Sequence, residues 1–153
     1  MSDQKNPAAM SSCPDRSSPD THHVTVQVAA GIVMRDGRML ITRRKPGTHL
    51  GGLWEFPGGK REQDETLEDC LRRELHEELG IAISDLSPYQ VVRHRYPERE
   101  VELHFFRCAL AEGVPRNIGC EEFRWVTSGE LAGYDFPPAD RSIIQILLDG
   151  DGR

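Results

Sequence analysis

The sequence predicts an α+β fold in which a mixed β-sheet lies between helices. Two observations carry that prediction. Segments rich in β-branched and aromatic residues, several of them alternating, are interleaved along the chain with two amphipathic helical patterns. One helical pattern follows the paired glycines Gly58 and Gly59 and stops at Gly80; the other covers Ala139–Leu148. No internal repeat or second domain interrupts this order.

Taken in order, residues 1–21 are rich in Ser, Pro and Asp and nearly devoid of large aliphatics, the composition of a disordered tail ahead of one domain over residues 22–153. His22 and His23 stand where the two meet, and two adjacent histidines are ordinary surface residues. Val24–Met34 reads as a strand, Arg35-Asp36-Gly37-Arg38 as a hairpin turn, and Met39–Thr42 as the returning strand with Arg43 and Arg44 at its end. Lys45–Gly52 is a Gly/Pro loop, and Leu53–Phe56 is a short apolar stretch entering Pro57-Gly58-Gly59. A glycine turn then feeds a helix of about four turns, with Leu67, Leu71, Leu75 and Leu79 on its inner face. Thr66 with Asp69 resembles a capping box, and Gly80 suits the position just past the helix end. Gln90–His94 and Glu100–Leu110 read as strands joined by a turn at Tyr96-Pro97, followed by a strand at Glu122–Val126 and a helical turn at Ser128–Leu131. After a loop at Asp135–Pro138 the last helix places Ile143, Ile144, Leu147 and Leu148 inward.

The 153 residues and net charge of −6 suit one domain with a modest core, and the acidic balance excludes a nonspecific nucleic-acid binder. Anionic substrates then require a cation or local Arg and Lys residues. Cys13, Cys70, Cys108 and Cys120 lack metal-ligand or disulfide spacing and read as reduced thiols. Without a membrane span or the apolar core of a signal peptide, the expectation is a cytoplasmic protein, monomer or homodimer.

The chemistry concentrates on the first helix. Glu74, Glu77 and Glu78 fall within an arc of about 100° that overlaps the leucine stripe. Like charges at that spacing repel, more strongly beside a packed face where water screens less. Arg73 offsets part of the repulsion by pairing with Glu77, and a hard divalent cation such as Mg2+ or Mn2+ offsets far more. From the helix alone, a metal cluster and a solvated acidic face are both open readings.

With its preceding glycines the segment resembles the Nudix box. Gly59, Glu65, Arg73, Glu74, Leu75, Glu77, Glu78, Gly80 and Ile81 each occupy the matching place. The resemblance covers about Val24 to Leu148. It implies the Nudix α/β/α sandwich, a Mg2+-dependent hydrolase, and metal ligation by Glu74, Glu77, Glu78 and the Gly58 carbonyl. It also implies a catalytic role for Arg73 in orienting a carboxylate, and makes Glu74 a candidate general base. Glu65, at the helix start, is read as structural.

Flanking segments resemble the MutT subgroup, which acts on oxidised nucleoside triphosphates. These are Thr42-Arg43-Arg44, His49, Glu55-Phe56-Pro57-Gly58-Gly59-Lys60, Tyr96-Pro97-Glu98-Arg99 and Phe136-Pro137-Pro138-Ala139. By that resemblance Arg44 contacts substrate phosphate with His49 nearby, and Glu55, Phe56, Pro57 and Gly58 line the nucleotide pocket. From the residues alone, Arg44 reads equally as a strand-end salt bridge and His49 as a loop surface residue. Two departures stand out. Asp140 replaces an Asn, and is either a base reader or a helix N-cap. Gly119-Cys120 occupies the place of a further acidic ligand, leaving Glu121 or Glu122 as substitutes.

The expected activity is cleavage of a nucleoside triphosphate to the monophosphate and pyrophosphate, with an oxidised purine nucleotide such as 8-oxo-dGTP preferred. The rivals are a CTP or modified-dCTP pyrophosphatase, a hydrolase of ADP-ribose or dinucleoside polyphosphates, and a nucleotide-sensing or DNA-reading module without turnover.

Overall fold

A computed structural model describes residues 24–151; the expected tail, Cys13 and the His22-His23 pair lie outside the described residues. The strands are β1 (Val24–Arg35), β2 (Arg38–Arg43), β3 (Trp54–Glu55), β4 (Gly58–Lys60), β5 (Ala82–Arg95), β6 (Arg99–Glu112) and β7 (Glu122–Val126). Helix α1 spans Leu67–Leu79 and α2 spans Arg141–Ile146. The strands form a seven-stranded sheet whose main order is β3-β2-β1-β6-β5, with β4 beside β1 and β7 beside β2.

Two cores show why the fold is layered. Along β1, Ala29 and Val33 pack with Cys70, Leu71, Leu75 and Leu79 of α1, while Ala30 and Ile32 pack with Ile143 of α2 and Leu147 beyond it. Strand β2 divides in the same way, Leu40 to the α1 side and Met39 and Ile41 to the other. A strand buried on both faces has no polar side to display, so β1 reads as a nearly continuous apolar run. The mixed sheet between helices expected from the sequence is the observed architecture.

The β1–β2 hairpin pairs Met34 with Met39 and Arg35 with Arg38. Further along, β2 pairs with β7 and, through Thr42 and Arg43, with β3. Since Thr42 is registered opposite Glu55 and Phe123, all three side chains point to the α1 face.

Helix α1 begins at Thr66, whose hydroxyl accepts the Asp69 N–H at 3.0 Å. It ends at Gly80, whose left-handed φ of 72° lets its N–H reach the His76 carbonyl at 3.0 Å. The loop between β6 and β7 also ties down its last turn: Arg116 N–H donates to the Leu79 carbonyl at 2.9 Å, and the Ile118 and Gly119 N–H groups donate to the Glu78 carbonyl at 3.1 and 3.0 Å.

Three expectations need correction. Gly58 and Gly59 are not a turn but part of β4, registered against Ala30 and Ala29 of β1. No side chain fits there, because a Cβ on Gly58 would overlap the Ala29 carbonyl. The turn into α1 falls instead at residues 61–66. Strand β5 begins at Ala82 rather than Gln90. Pro88 and the left-handed Asp85 (φ 57°) read as breakers, but β5 is the edge of the sheet, where a missing N–H costs no ladder bond. The last helix is also shorter than Ala139–Leu148: a 3-10 turn at Pro138–Asp140 precedes α2, a π turn at Leu147–Asp151 follows it, and Leu148 is exposed.

Backbone proximity separates a large unit, Val26–His94 with Val101–Arg153, from a small one that contains the turn Arg95–Glu100. That turn closes on itself, with Tyr96 N–H donating to the Arg99 carbonyl at 2.8 Å. Among the described residues no helix is long and apolar enough to cross a membrane.

Leu75 is fully buried between α1 and the sheet. Leu75→Ala is expected to lower the unfolding free energy by about 2–5 kcal/mol, read from urea denaturation with an unchanged m-value.

Candidate active site

The site is built where α1 crosses β4 and the end of β2. Gly59 lies directly under Glu74, and a Cβ at Gly59 would overlap the Glu74 carboxyl. The second glycine is therefore required by a side chain from the helix, not by the turn chemistry its sequence context suggests.

Arg73 organises the carboxylates. Its Nε and Nη2 donate to the two oxygens of Glu65 at 3.1 and 2.8 Å, a bidentate pair. Its Nη1 donates to Glu74 Oε2 at 3.0 Å and to Glu77 Oε1 at 3.3 Å, and Nη2 also reaches the Lys60 carbonyl at 3.2 Å. Arg73 thus makes the i,i+4 pair with Glu77 and also bonds the Glu74 carboxylate. Hydrogen bonding from Arg73, with a further bond from the Glu62 N–H, holds the Glu65 carboxyl down at about 2.

Arg44 donates through Nη1 to both oxygens of Glu55, at 3.2 and 3.4 Å, and through Nε to the His49 carbonyl at 2.7 Å. The strand-end salt bridge is therefore present, and its partner is another predicted site residue. His49 contributes its backbone to this arrangement from an exposed loop position.

Four acidic groups answer to one another electrostatically. Burial raises the Glu55 carboxyl against the lowering effect of Arg44, and Glu74 raises it further. Burial also raises Glu74, opposed by Arg73 and reinforced by Glu77. Glu78 is pushed up to about 8, first by burial and then by Glu55 and Glu74. Asp140 is pushed up to about 7 by burial and by Glu55. Arg44 and Arg73 offset only part of the repulsion in this set, and its carboxyls, held away from water, are shifted toward the protonated form.

The remaining predicted residues are placed differently. Glu77 is the exposed member, its side chain 58% accessible and paired with Arg73. Phe56 is core, in edge contact with Phe105 and tilted against Phe136, with ring centroids 6.0 and 5.4 Å apart. Pro57 is buried and its carbonyl accepts the Gly31 N–H at 2.8 Å. Asp140 sits at the N-cap position of α2, but its side chain makes no capping hydrogen bond, and the residue is only 6% exposed. The capping alternative accounts for its place in the chain and not for its carboxyl.

Neither Glu121 nor Glu122 joins the acidic group through the contacts seen. Glu122 is taken by Arg43 at 3.2 Å and Arg124 at 2.8 Å, and Glu121 is exposed. Gly119 instead packs on the Glu78 side chain, where a Cβ would come within 3.0 Å of its Cγ. The acidic residue that does join the set is Glu55, which the sequence marked only as a pocket residue. Thr42, on the same face, was named within the Thr42-Arg43-Arg44 segment but given no role of its own; among the described residues its buried hydroxyl has no hydrogen-bond partner. A polar residue closing an apolar strand run (Met39-Leu40-Ile41-Thr42) was the one available signal.

Among the described residues, no group of three or more His, Cys, Asp or Glu side chains is gathered as a formed metal cage. The donor chemistry nevertheless fits a hard cation. The carboxyls of Glu74 and Glu78 are desolvated oxygen donors that a cation would draw into the ionised form, and the Gly58 carbonyl is available. The bonds from Gly31 to Pro57 and from Arg61 to Gln27 set the phase of the β1–β4 ladder. Gly58 then falls in a non-hydrogen-bonded pair, with its carbonyl directed away from β1.

An α/β/α sandwich carrying an acidic helix over a diglycine strand is the architecture of a hydrolase that acts on phosphoanhydride bonds. Residues 28–145 match the family model described as NUDIX domain. The chain belongs to the Nudix family, and nucleotide phosphoanhydrides are its class of substrate. The 8-oxo-dGTP diphosphatase of Escherichia coli K12 is 35% identical over 123 residues, covering 80% of this chain and 95% of that protein. The CTP pyrophosphohydrolase of the same strain is 32% identical over 124 residues, covering 80% and 91%. The solution structure of the E. coli ORF135 protein matches with a TM-score of 0.72 at 29% identity, covering 83% of this chain and 91% of that one.

Glu78 generates a stability prediction for the metal-free protein. Its folded pKa, about 8, lies above the ordinary carboxylate value of 4.5, so the native state holds a proton that the unfolded chain has released. Its contribution to stability therefore falls as pH rises from about 4.5 through about 8. Glu78→Gln should raise Tm relative to wild type at pH 8 and leave it unchanged at pH 4, by calorimetry in EDTA.

Proposed function

We propose that the protein is a Mg2+-dependent pyrophosphohydrolase of the MutT type, releasing pyrophosphate and a nucleoside monophosphate from an oxidised purine nucleoside triphosphate. The observation that carries the reading is the surplus of desolvated carboxylates on α1 beside Glu55 and Arg44. The 35% identity to an 8-oxo-dGTP diphosphatase supports the substrate class.

In this reading Glu74, Glu77, Glu78 and the Gly58 carbonyl hold Mg2+, or Mn2+ in its place. A cation held there would supply neutralisation of the phosphate oxygens and polarisation of the attacking water. Arg73 fixes the rotamer of Glu74, so that the carboxylate keeps one position while charge develops nearby. Glu74, held by Arg73 directly over Gly59, is also the candidate general base. Arg44 has further guanidinium donors for a phosphate oxygen beyond its bonds to Glu55 and the His49 carbonyl. Catalysis here is positioning and charge neutralisation, the two demands of phosphoryl transfer.

Asp140 supplies the base preference. Oxidation at C8 of guanine turns N7 from an acceptor into an N–H donor, beside the O6 acceptor. A protonated carboxyl offers one donor and one acceptor, as an Asn amide does, and so matches that edge. Ionised, Asp140 only accepts, which suits the exocyclic amine of cytosine. This is the second reading, a CTP or modified-dCTP pyrophosphatase, favoured by the acidic identity of Asp140 and by the 32% identity to a CTP pyrophosphohydrolase.

A nucleotide panel assayed for pyrophosphate release tests both. Glu77→Gln and Glu78→Gln should each lower kcat by roughly a hundredfold or more while nucleotide binding partly survives. Equal turnover in these variants defeats the metal assignment. With Asp140 titrating at about 7, the kcat/KM advantage of 8-oxo-dGTP over CTP should shrink as pH rises from 6 to 8.5, and Asp140→Asn should abolish that slope. No advantage for 8-oxo-dGTP at any pH defeats the oxidised-purine assignment.

A further inference from the structure

A second polar network, outside the box helix and its carboxylates, runs across the α1 face of the sheet. Glu102 of β6 is its far end. Glu102 Oε1 accepts from Gln27 Nε2 at 2.9 Å and lies 2.7 Å from His104 Nε2, and Oε2 accepts from Arg93 Nε at 3.1 Å. Those hydrogen bonds, from Gln27 first and then His104, hold the Glu102 carboxyl down at about 2. Gln27 of β1 passes the arrangement on, because its Oε1 accepts from Arg61 Nε at 2.8 Å. Both ends of the Gln27 amide are thus committed, which fixes its orientation.

Arg61 is the link to the site. Its Nη1 donates to the carbonyls of Glu62 and Glu65 at 3.3 and 3.0 Å, and its own N–H donates to the Gln27 carbonyl at 2.9 Å. The turn over residues 61–66 packs no large apolar side chain into either core. Its place is set by these polar contacts together with the bond from the Glu62 N–H to Glu65 Oε1 at 2.9 Å. Glu65, carried on that turn, grips Arg73 bidentately, and Arg73 holds Glu74.

We propose that Gln27 and Glu102 are positioning residues for the hydrolytic site: they hold Arg61, and through it the Glu62–Glu65 turn, where Glu65 can aim Arg73 at Glu74. The hydrogen bonds seen connect Gln27 and Glu102 to the carboxylates on α1 through Arg61, Glu65 and Arg73. The proposal rests on the assignment of Arg73 and Glu74 to the hydrolytic site. It has a structural part that can be read without turnover.

Gln27→Met keeps the length and volume of the side chain and removes both polar ends. In the full-length protein, the Arg73 Nε–H resonance is the first readout, since that proton is bonded to Glu65 in the native site. In Gln27→Met and in Glu102→Gln it should shift and exchange with water about tenfold faster, while the Arg44 Nε–H, bonded to the His49 carbonyl, stays unchanged. An Arg73 signal identical to wild type in both variants overturns the proposal. Loss of both arginine signals, or general loss of dispersed resonances, also overturns it, because the residues then support the fold and not the site.

The second readout is kinetic, with the best nucleotide of the panel. Gln27→Met should lower kcat about tenfold with KM within about twofold, and should add nothing in an Arg73→Gln background. Equal losses in both backgrounds overturn the proposal. If Arg73→Gln itself leaves kcat intact, the assignment of the hydrolytic site has failed instead, and the resonance experiment still decides whether Gln27 and Glu102 hold Arg73.

Discussion

The site depends on one guanidinium. Arg73 reaches Glu65, Glu74, Glu77 and the Lys60 carbonyl, which come from the turn, the helix and β4. A planar fork with fixed donor directions can serve them together, which an ammonium on a flexible stem cannot. It draws one carboxylate inward and another outward, so that Glu74 and Glu77, three residues apart on one helix, acquire different environments. Glu74 is desolvated over Gly59, and Glu77 remains in water.

The acidic group beside it has the opposite character, since it is held together against its own repulsion. What permits this is the rigidity of the frame. Helix α1 is buried along Cys70, Leu71, Leu75 and Leu79, its start is capped by Thr66, and its last carbonyls are taken by the N–H groups of Arg116, Ile118 and Gly119. Helix and sheet cannot relax apart to relieve the charge without exposing the apolar interface between them. Burial first, and repulsion among the carboxyls after it, raise the proton affinity of Glu55, Glu74, Glu78 and Asp140. This is the form in which a folded scaffold keeps sites ready for a cation or a proton.

The two helices are served by the same strands. Alternate residues of β1 and β2 supply both cores, so the position of α1 is registered to the position of α2 through a sheet only one residue thick. The segment bearing Asp140 is fixed by contacts of its own: Trp54 N–H donates to the Asp135 carbonyl at 2.8 Å, Tyr134 meets Trp54 edge-on, and Phe136 leans on Phe56. Residues distant in sequence are thereby fixed on either side of Glu55.

Much of this was legible in the chain itself. The apolar run of β1, the Asp-Gly turn, the leucine spacing of α1 and its Thr66 and Gly80 ends are local signals, because hydrogen-bond periodicity and capping depend on near neighbours. The acidic cluster on α1 was legible for the same reason, since helical geometry alone places Glu74 and Glu78 on adjacent turns. What the tertiary structure decided is everything that depends on two segments meeting. It turned the diglycine into a strand under Glu74, brought Glu55 rather than Glu121 or Glu122 to the acidic group, extended β5 through Pro88 along a free edge, and buried the Asp140 carboxyl without a capping bond. Charge repulsion, desolvation and close approach act through space, and spacing along the chain carries no record of them until the sheet is assembled.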